Sequence, residues 1–287
     1  MQQASAVPVK FRAMPLSELL DETFRVYRKY FVVIAGVSIA VLIPGLITSL
    51  MTGSFRVMGL ATGAFTSLGD PQALESLGEQ IQSAQSADPV WTVINLVVSI
   101  VLLPFTFGAV WCATSLILSG QPATVASVLR TVLRRYWAVF GMVILFFLFT
   151  AVAVWIFPLW LWIVIRWIVA PYGLFAEGLG PIRAFGRSWN LAAGQWWRTL
   201  GIVLVLLIML WIISSALSFL FVGIAALIPG VGSDVRGILV TVASELIHAL
   251  ISPVLAVALT LLYFDLRVRK EGLDLEQLAR ATSPPSV

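Results

Sequence analysis

Residues 159–173, LWLWIVIRWIVAPYG, are almost entirely apolar and carry one charged side chain, that of Arg166. With its neighbours, this stretch is long enough to cross a bilayer core of roughly 30 Å, which takes about 20 helical residues. Similar stretches recur along the 287-residue chain, in which 60% of the residues are hydrophobic and 11% are charged. Because a soluble domain usually has about a quarter charged residues, the composition predicts an all-α integral membrane protein.

The apolar stretches predict six transmembrane helices in three hairpins, which form a single polytopic membrane domain. Between the third and fourth spans only FPL at 157–159 remains for the turn. Residues 52–90 are predicted to be an outer loop, in which PQALESLGEQIQSAQ could form a short helix, and residues 279–287 a disordered tail. The predicted spans are residues 31–51, 91–118, 138–157, 159–178, 199–227 and 238–264.

The last span is predicted to continue beyond the membrane. Asp265 and Arg269 have the i,i+4 spacing of a helical ion pair, which would extend the helix to about Lys270. Gly272 is then predicted to end the helix.

Basic residues are concentrated on one side of the predicted spans. Only Arg56 and Arg236 fall on the opposite side. Since the loops richest in Lys and Arg face the cytoplasm, both termini of the multi-pass protein are predicted to be cytoplasmic. The fifteen basic residues on the side of the termini are Lys10, Arg12, Arg25, Arg28, Lys29, Arg130, Arg134, Arg135, Arg183, Arg187, Arg198, Arg267, Arg269, Lys270 and Arg280.

Three segments of the chain share one design. Each opens with a proline, continues with apolar residues at helical spacing among basic ones, and reaches a pair of aromatic residues before a glycine. Such a helix, with aromatic residues where it joins a span, is expected to lie in the plane of the lipid headgroups. The pattern therefore predicts a cytoplasmic in-plane amphipathic helix before each hairpin. The segments are PLSELLDETFRVYRKYFVVIAG (15–36), PATVASVLRTVLRRYWAVFG (122–141) and PIRAFGRSWNLAAGQWWRTLG (181–201).

The second span of each hairpin contains a proline, at Pro104, Pro171 or Pro253. Proline inside a helix removes a backbone hydrogen bond and usually bends the helix, so these residues are predicted helix kinks. The shared order of proline, basic helix, aromatic pair and glycine favours a true threefold internal repeat. Basic flanks and aromatic belts, which occur throughout membrane proteins, are the alternative explanation of this pattern.

The first and third segments, and above all YFDLRVRKEGLDLEQLA (263–279), carry a resemblance to a known family. Over most of its length apart from 52–90, the chain resembles the membrane domain of some bacterial glycerophosphoryl diester phosphodiesterases and its stand-alone relatives. The resemblance implies a membrane fold and a location in the bacterial cytoplasmic membrane. In the larger family members a separate soluble domain, with paired histidines and metal-binding carboxylates, carries the chemistry. Here the only histidine is His248, so the resemblance does not extend to that activity.

Arg166 is expected to have a partner, because a charge near the bilayer centre costs about 2.5–3.5 kcal/mol on insertion scales. It lies roughly 12 Å along its helix from the predicted outer end. Glu245 and His248 lie at similar depth in the last span and share one helix face. The sequence therefore predicts an intramembrane polar cluster of Arg166, Glu245 and His248, with an Arg166–Glu245 ion pair. The pair could simply fasten the bundle, the cluster could bind an anionic headgroup or relay a proton, or Arg166 could extend outward without a partner.

Other basic residues lie next to the spans, where they are candidates for contacts with lipid phosphates. This placement accounts for the net charge of +4 without nucleic acid, for which no binding is expected. The predicted partners are membrane lipids, mainly anionic, with a membrane protein partner as a further possibility. The candidate headgroup contacts are Arg28, Lys29, Arg134, Arg135, Arg183, Arg187 and Arg198.

No catalytic set, metal site or cofactor site can be assembled from the sequence. Glu245 and His248 make half of a di-metal motif that has no second copy, and GRSWN (186–190) lacks the closing glycine of a nucleophile elbow. The leading hypothesis is a non-enzymatic membrane protein that acts as a lipid-associated scaffold or assembly factor. The alternative is a small transporter or lipid translocator with the Arg166, Glu245 and His248 cluster as its site.

Overall fold

The computed structural model describes residues 13–53, 55–64, 75, 79, 89–228 and 230–272. Most of the predicted outer loop lies outside these residues, and of its possible helix only Glu75 and Glu79 are described, both as helical. The predicted disordered tail and the basic residues Lys10 and Arg12 also lie outside the described residues. Within the described residues the secondary structure is helical, without strands. The helices are α1 (Leu16–Lys29), α2 (Phe31–Thr52), α3 (Phe55–Ala64), α4 (Pro89–Leu118), α5 (Val125–Arg134), α6 (Tyr136–Ala153), α7 (Phe157–Trp167), α8 (Ala170–Ala176), α9 (Pro181–Ala192), α10 (Trp196–Leu227) and α11 (Ser233–Glu271).

Six stretches of helix are long and apolar enough to cross a membrane, which confirms the predicted number of spans in an all-helical multi-pass membrane protein. Gly272, in the left-handed conformation at φ 64°, ends α11 where the sequence predicted its end. Helix α3 was not predicted, because it falls within residues 52–90, which the sequence analysis assigned to an outer loop. The candidate spans are Phe31–Met51, Leu96–Leu118, Tyr136–Ala153, Phe157–Ala176, Trp196–Leu227 and Ser233–Glu271.

The fourth span differs from its prediction, because it consists of two helices. Helix α7 ends at Trp167 and α8 begins at Ala170, so Pro171 stands in the first turn of a new helix. A proline is tolerated there because the first N–H groups of a helix have no intrahelical partner. Pro104 and Pro253, by contrast, lie inside the continuous helices α4 and α11, as does Pro44 in α2, which the sequence analysis did not single out.

The chain forms two compact units. Unit 1 comprises Met1–Val37, Pro104–Leu207 and Pro253–Val287, and unit 2 comprises Ser38–Leu103 and Ile208–Ser252. The boundaries fall within helices, and in α4 and α11 they fall immediately before the interior proline.

The core of unit 1 is built from three segments that each begin at a buried proline, residues 104–118, 171–176 and 253–268. We call these the core segments. In the third, every residue from 256 to 266 is buried, which is typical of a helix surrounded by protein. Each core segment is followed by a glycine with positive φ, a conformation that glycine adopts without steric cost. These are Gly120, Gly178 and Gly272.

Three short helices of unit 1, α1, α5 and α9, precede the spans and each buries one face. In α1 the buried residues are Leu19, Thr23 and Val26, at the helical spacing of four and three. The breaks after α1 and α5 have the same backbone conformation, with φ −110° and ψ 20° at Tyr30 and φ −108° and ψ 19° at Arg135. The break after α9 differs, because it is longer and contains a left-handed glycine.

The beginnings of the spans in unit 1 contact the short helices in a regular order. A Cβ atom at Gly36 of α2 would lie 3.1 Å from Val125, at the start of α5. One at Gly141 of α6 would lie 3.6 Å from Pro181, at the start of α9. From the third such span, α10, Arg198 donates a hydrogen bond of 2.7 Å to the carbonyl oxygen of Met14, just before α1. The first span of each segment thus contacts the short helix of the next segment, and the first span of the third contacts the residues just before α1.

In unit 2, helix α3 crosses the start of α11 at two glycines. A Cβ atom added to Gly59 would lie 2.0 Å from the carbonyl oxygen of Ser233, and one added to Gly237 would lie 2.1 Å from that of Phe55. Both distances are far shorter than any van der Waals contact. The two backbones therefore approach as closely as they do only because neither residue has a side chain.

We predict that Gly59→Ala destabilises the protein by about 1–3 kcal/mol, the usual cost of overpacking, because α3 and α11 must separate. Unfolding in mixed detergent micelles measures the change. The matched control is Gly223→Ala in α10, where nothing lies within 4 Å of the added methyl group. This control should be neutral or slightly stabilising, since alanine is the better helix former. Equal stability of the two variants would contradict the close crossing.

Candidate functional site

Arg166 lies in the last turn of α7, and its guanidinium group is held by two tryptophan rings. The guanidinium carbon lies 5.1 Å from the ring centroid of Trp162 and 4.8 Å from that of Trp189. Nη1 also donates to the carbonyl oxygen of Trp189 at 3.2 Å. The hydroxyl of Ser188 donates to the Arg166 carbonyl at 2.7 Å, so the arginine joins α7 to α9. Aromatic faces can stabilise a cation in place of a counter-ion.

The predicted Arg166–Glu245 ion pair stays a prediction. Arg166 belongs to unit 1, whereas Glu245 and His248 are exposed residues of α11 in unit 2. Among the ion pairs formed by the described residues of unit 1, none includes Arg166. The sequence analysis considered only carboxylates as partners of Arg166 and did not predict the tryptophans. Trp162 could have been recognised, because it stands four residues before Arg166 and therefore lies on the same helix face.

The most completely enclosed charge in unit 1 is Asp265, whose side chain is 0% exposed. Arg198 of α10 donates to its Oδ2 at 2.6 Å, and Arg269, one turn further along α11, does so at 3.1 Å. The predicted Asp265–Arg269 pair is thereby confirmed. The backbone N–H of Met14 donates to Oδ1 of the same carboxylate at 2.8 Å. Because Arg198 and Arg269 also donate to the Met14 carbonyl, both backbone groups of this residue are bound.

A second charged cluster lies between the end of α8, α9 and the end of α11. Arg187 of α9 donates to the carboxylates of Glu177, at 2.9 and 3.0 Å, and of Glu271. Tyr263 donates to Glu177, and Arg267 donates to Glu271 at 3.1 Å. The hydrogen bond with Glu271, together with the negative charges of both carboxylates, raises the pKa of Arg187 above its ordinary value. The sequence gives no indication of this cluster beyond the charges themselves, because its members are distant in sequence. Glu177 and Glu271, for example, are 94 positions apart.

The candidate headgroup contacts separate into two sets. The side chains of Arg135, Arg187 and Arg198 are engaged within the protein, and that of Arg135 donates to the Leu174 carbonyl at 2.7 Å. The side chains of the other candidates are exposed, so their N–H groups face away from the core of unit 1. This exposed set consists of Arg28, Lys29, Arg134 and Arg183.

Exposed aromatic residues accompany the exposed cations. The second residue of each aromatic pair, at the start of α2, α6 and α10, is Phe31, Trp137 or Trp197. Their exposed fractions are 42%, 77% and 79%. Large aromatic side chains are usually buried in a protein that is surrounded by water, whereas this position beside basic residues is typical of a membrane–water interface.

The described residues hold no group of three or more His, Cys, Asp and Glu side chains that could bind a metal ion. Cys112 is a buried free thiol in α4, and the hydroxyl of Ser188, in GRSWN, is bonded to the Arg166 carbonyl. No family model, curated protein or solved structure matches the chain. The function therefore has to be argued from the residues themselves.

We predict that Arg166→Gln destabilises unit 1 by about 2 kcal/mol, the value for a desolvated cation–π contact. Unfolding followed by far-ultraviolet circular dichroism measures the change, because the other nine of the eleven tryptophans would mask the fluorescence of Trp162 and Trp189. Arg183→Gln, at an exposed position of α9, the helix that contains Trp189, is the control and should change stability by less than about 0.5 kcal/mol. A tolerated Arg166→Gln would contradict the role of the two rings.

Asp265→Asn is expected to release the chain around Met14. The variant loses the charge that both arginines and the Met14 N–H require, at about 1.5–3 kcal/mol for each hydrogen bond to a charged group. Faster amide exchange over residues 13–20 measures the release. Asp21→Asn, at an exposed position of α1, should leave that exchange unchanged. Unaltered exchange in Asp265→Asn would mean that other contacts hold the segment.

Proposed function

We propose that this chain is a non-enzymatic scaffold or assembly factor that holds anionic lipid at the cytoplasmic face of a bacterial cytoplasmic membrane. Both termini lie on that face in the proposal. The observation that carries it is the combination of exposed basic and exposed aromatic residues at the junctions between the short helices and the spans. At two of these junctions, Lys29 precedes Phe31 and Arg134 precedes Trp137.

The distribution of charge supports lipid binding at this surface. Three arginines of the region are bonded to carboxylates or carbonyl groups of the protein, whereas Arg28, Lys29, Arg134 and Arg183 are exposed. Each such residue near an anionic leaflet contributes about 1 kcal/mol of attraction. Phosphate groups are the natural partners of these cations, because guanidinium and ammonium groups bind them through charge-assisted hydrogen bonds.

In this proposal α1, α5 and α9 lie in the plane of the headgroups. Their buried faces pack into unit 1, while basic side chains such as Arg25, Arg130 and Arg183 occupy exposed positions. The three segments are taken as true internal repeats, each with a short helix, a first span and a second span that supplies a core segment. The matching conformations of Tyr30 and Arg135 and the three left-handed glycines favour repetition over a generic pattern.

A scaffold accounts for the internal contacts better than a catalyst does. The charged side chains of unit 1 tie distant segments of the chain together, which stabilises a framework. The proposal keeps the suggested relationship to the membrane domain of glycerophosphoryl diester phosphodiesterases, without their activity. A membrane protein partner would bind the same framework.

The alternative function, a small transporter or lipid translocator, centres on Arg166, Glu245 and His248. One observation favours it: Nε of Arg166 is buried and has no hydrogen-bond partner among the described residues. Native mass spectrometry of the wild type and Arg166→Leu separates the two functions. A stoichiometric solute or lipid that is retained by the wild type and lost from the variant would favour transport.

For the leading proposal, we predict that the variant Arg28→Gln, Lys29→Gln, Arg134→Gln, Arg183→Gln retains several-fold less anionic phospholipid than the wild type. The four substitutions remove the exposed cations and leave the internally bonded arginines intact. The measurement is native mass spectrometry after extraction into detergent supplemented with equal amounts of phosphatidylglycerol and phosphatidylcholine.

The control for this experiment is Arg56→Gln, which removes an exposed cation of unit 2. It should retain phosphatidylglycerol as the wild type does. Equal retention of the two lipids by the wild type, or undiminished phosphatidylglycerol on the fourfold variant, would contradict lipid binding at the proposed surface.

A further inference from the structure

Two titratable side chains of α11, Glu245 and His248, are exposed within a candidate membrane span. They lie 12 and 15 residues after the start of the helix at Ser233, which places them about 18–23 Å along its axis. Ionisable side chains inside a span are costly and normally face other protein groups or a water-filled cavity, because hydrocarbon offers no hydrogen bonds. Their exposure therefore indicates a surface that is covered by something other than lipid tails.

The described part of unit 2 gives these two side chains no partner. Neither takes part in a hydrogen bond or ion pair with another described residue, and they do not bond to each other, although i,i+3 positions are neighbours. The sequence of unit 2 contains two arginines and no lysine. Arg56 lies 3.9 Å from Asp234, and Arg236 donates to the Ala225 carbonyl at 3.1 Å. Both cations are thus engaged at the beginning of α11.

Glu245 and His248 belong to a longer polar stripe on one face of α11. We use the name polar stripe for Thr241, Glu245, His248 and Ser252, of which the first is half-buried and the other three are exposed. Successive members are separated by four, three and four positions. This is the 3.5-residue period of two helices that pack side by side with a left-handed crossing, the commonest geometry in membrane bundles. Polar side chains at such a contact hydrogen-bond from one helix to the other.

We propose that the polar stripe is the contact surface between two copies of this chain, with α11 of one copy packed against α11 of the other. Two copies inserted in the same orientation are related by a twofold axis along the membrane normal, so their α11 helices run parallel and the same levels meet. His248 of each copy then donates a ring N–H to the carboxylate of Glu245 in the second copy. Symmetry makes this hydrogen bond twice.

The stripe favours a second copy because it is complementary to itself. It holds one carboxylate, which only accepts hydrogen bonds, and one imidazole, which donates. A different protein would have to present a donor and an acceptor at matching levels of its own helix, whereas a second copy supplies both through the twofold axis. The inference is independent of the proposed lipid binding, since it uses no residue of the exposed basic set.

The first test is disulfide cross-linking of the full chain in isolated membranes. In Ser252→Cys the new thiol lies in the polar stripe and should form a disulfide-linked dimer on oxidation with copper phenanthroline. The control is Ile208→Cys in α10, which is 50% exposed and lies 19 residues from the end of its helix at Leu227, as Ser252 does from the start of α11. The wild type controls for Cys112, which is buried.

We expect several-fold more dimer from Ser252→Cys than from Ile208→Cys. Equal cross-linking of the two variants would overturn the proposal. A product of Ser252→Cys whose mass differs from that of two chains would also overturn it, because the stripe would then bind a different protein.

A charge-swapped pair tests the bond between the copies. Glu245→His and His248→Glu each leave two like side chains in the stripe, so each should weaken the dimer by about tenfold, the effect of losing one or two interhelical hydrogen bonds. The double variant Glu245→His, His248→Glu has the same composition as the wild type and should restore most of the affinity. Single-molecule photobleaching of labelled protein in liposomes, over a series of protein-to-lipid ratios, measures the dimer fraction.

Three results of this measurement would contradict the proposal. They are a wild type that stays monomeric at every ratio, single variants that dimerise as the wild type does, and a double variant no tighter than the single ones. Each would show that Glu245 and His248 do not pair between two copies.

Discussion

The carboxylate of Asp265 is the contact on which the closure of unit 1 depends. A charge with no exposed surface is stable only if it is fully paired, and here two guanidinium groups and one backbone N–H do this. These donors come from the start of α10, from the end of α11 and from Met14, two residues before α1 begins. One buried charge therefore joins the segment before α1 to the fifth and last spans, at the point where the third segment meets the first.

The membrane character of the chain could be predicted from the sequence because it depends on sums over long stretches. Spans of about 20 apolar residues are visible in composition alone, and the end of α11 follows from Asp265, Arg269 and Gly272, which are close in sequence. The break between Trp167 and Ala170 was less accessible, because proline at a helix start and proline inside a helix look alike in sequence. Both cases occur among the core segments, since Pro171 stands at the start of a helix, whereas Pro104 and Pro253 lie inside one.

The surroundings of the charged residues could not be predicted, because they depend on contacts between distant segments. Arg135, Arg187 and Arg198 resemble Arg28 and Arg134 in sequence, each lying next to an apolar span. What distinguishes them is a carbonyl or carboxylate that packing brings near, such as Leu174 for Arg135 and Glu271 for Arg187. Arg166 illustrates a different difficulty, since its partners are aromatic faces, and a search for opposite formal charge passes over them.

The binding of Met14 by the far end of the chain also determines the order in which the protein can assemble. Met14 and Asp265 are separated by 251 positions. At a synthesis rate of about 5–20 residues per second, the carboxylate follows Met14 from the ribosome after on the order of tens of seconds. Throughout that interval α1 has no final partner for its leading end, and five spans are inserted before the sixth completes the enclosure. Met14 is thus among the last residues to reach its native contacts, although it is synthesised long before its partner Asp265.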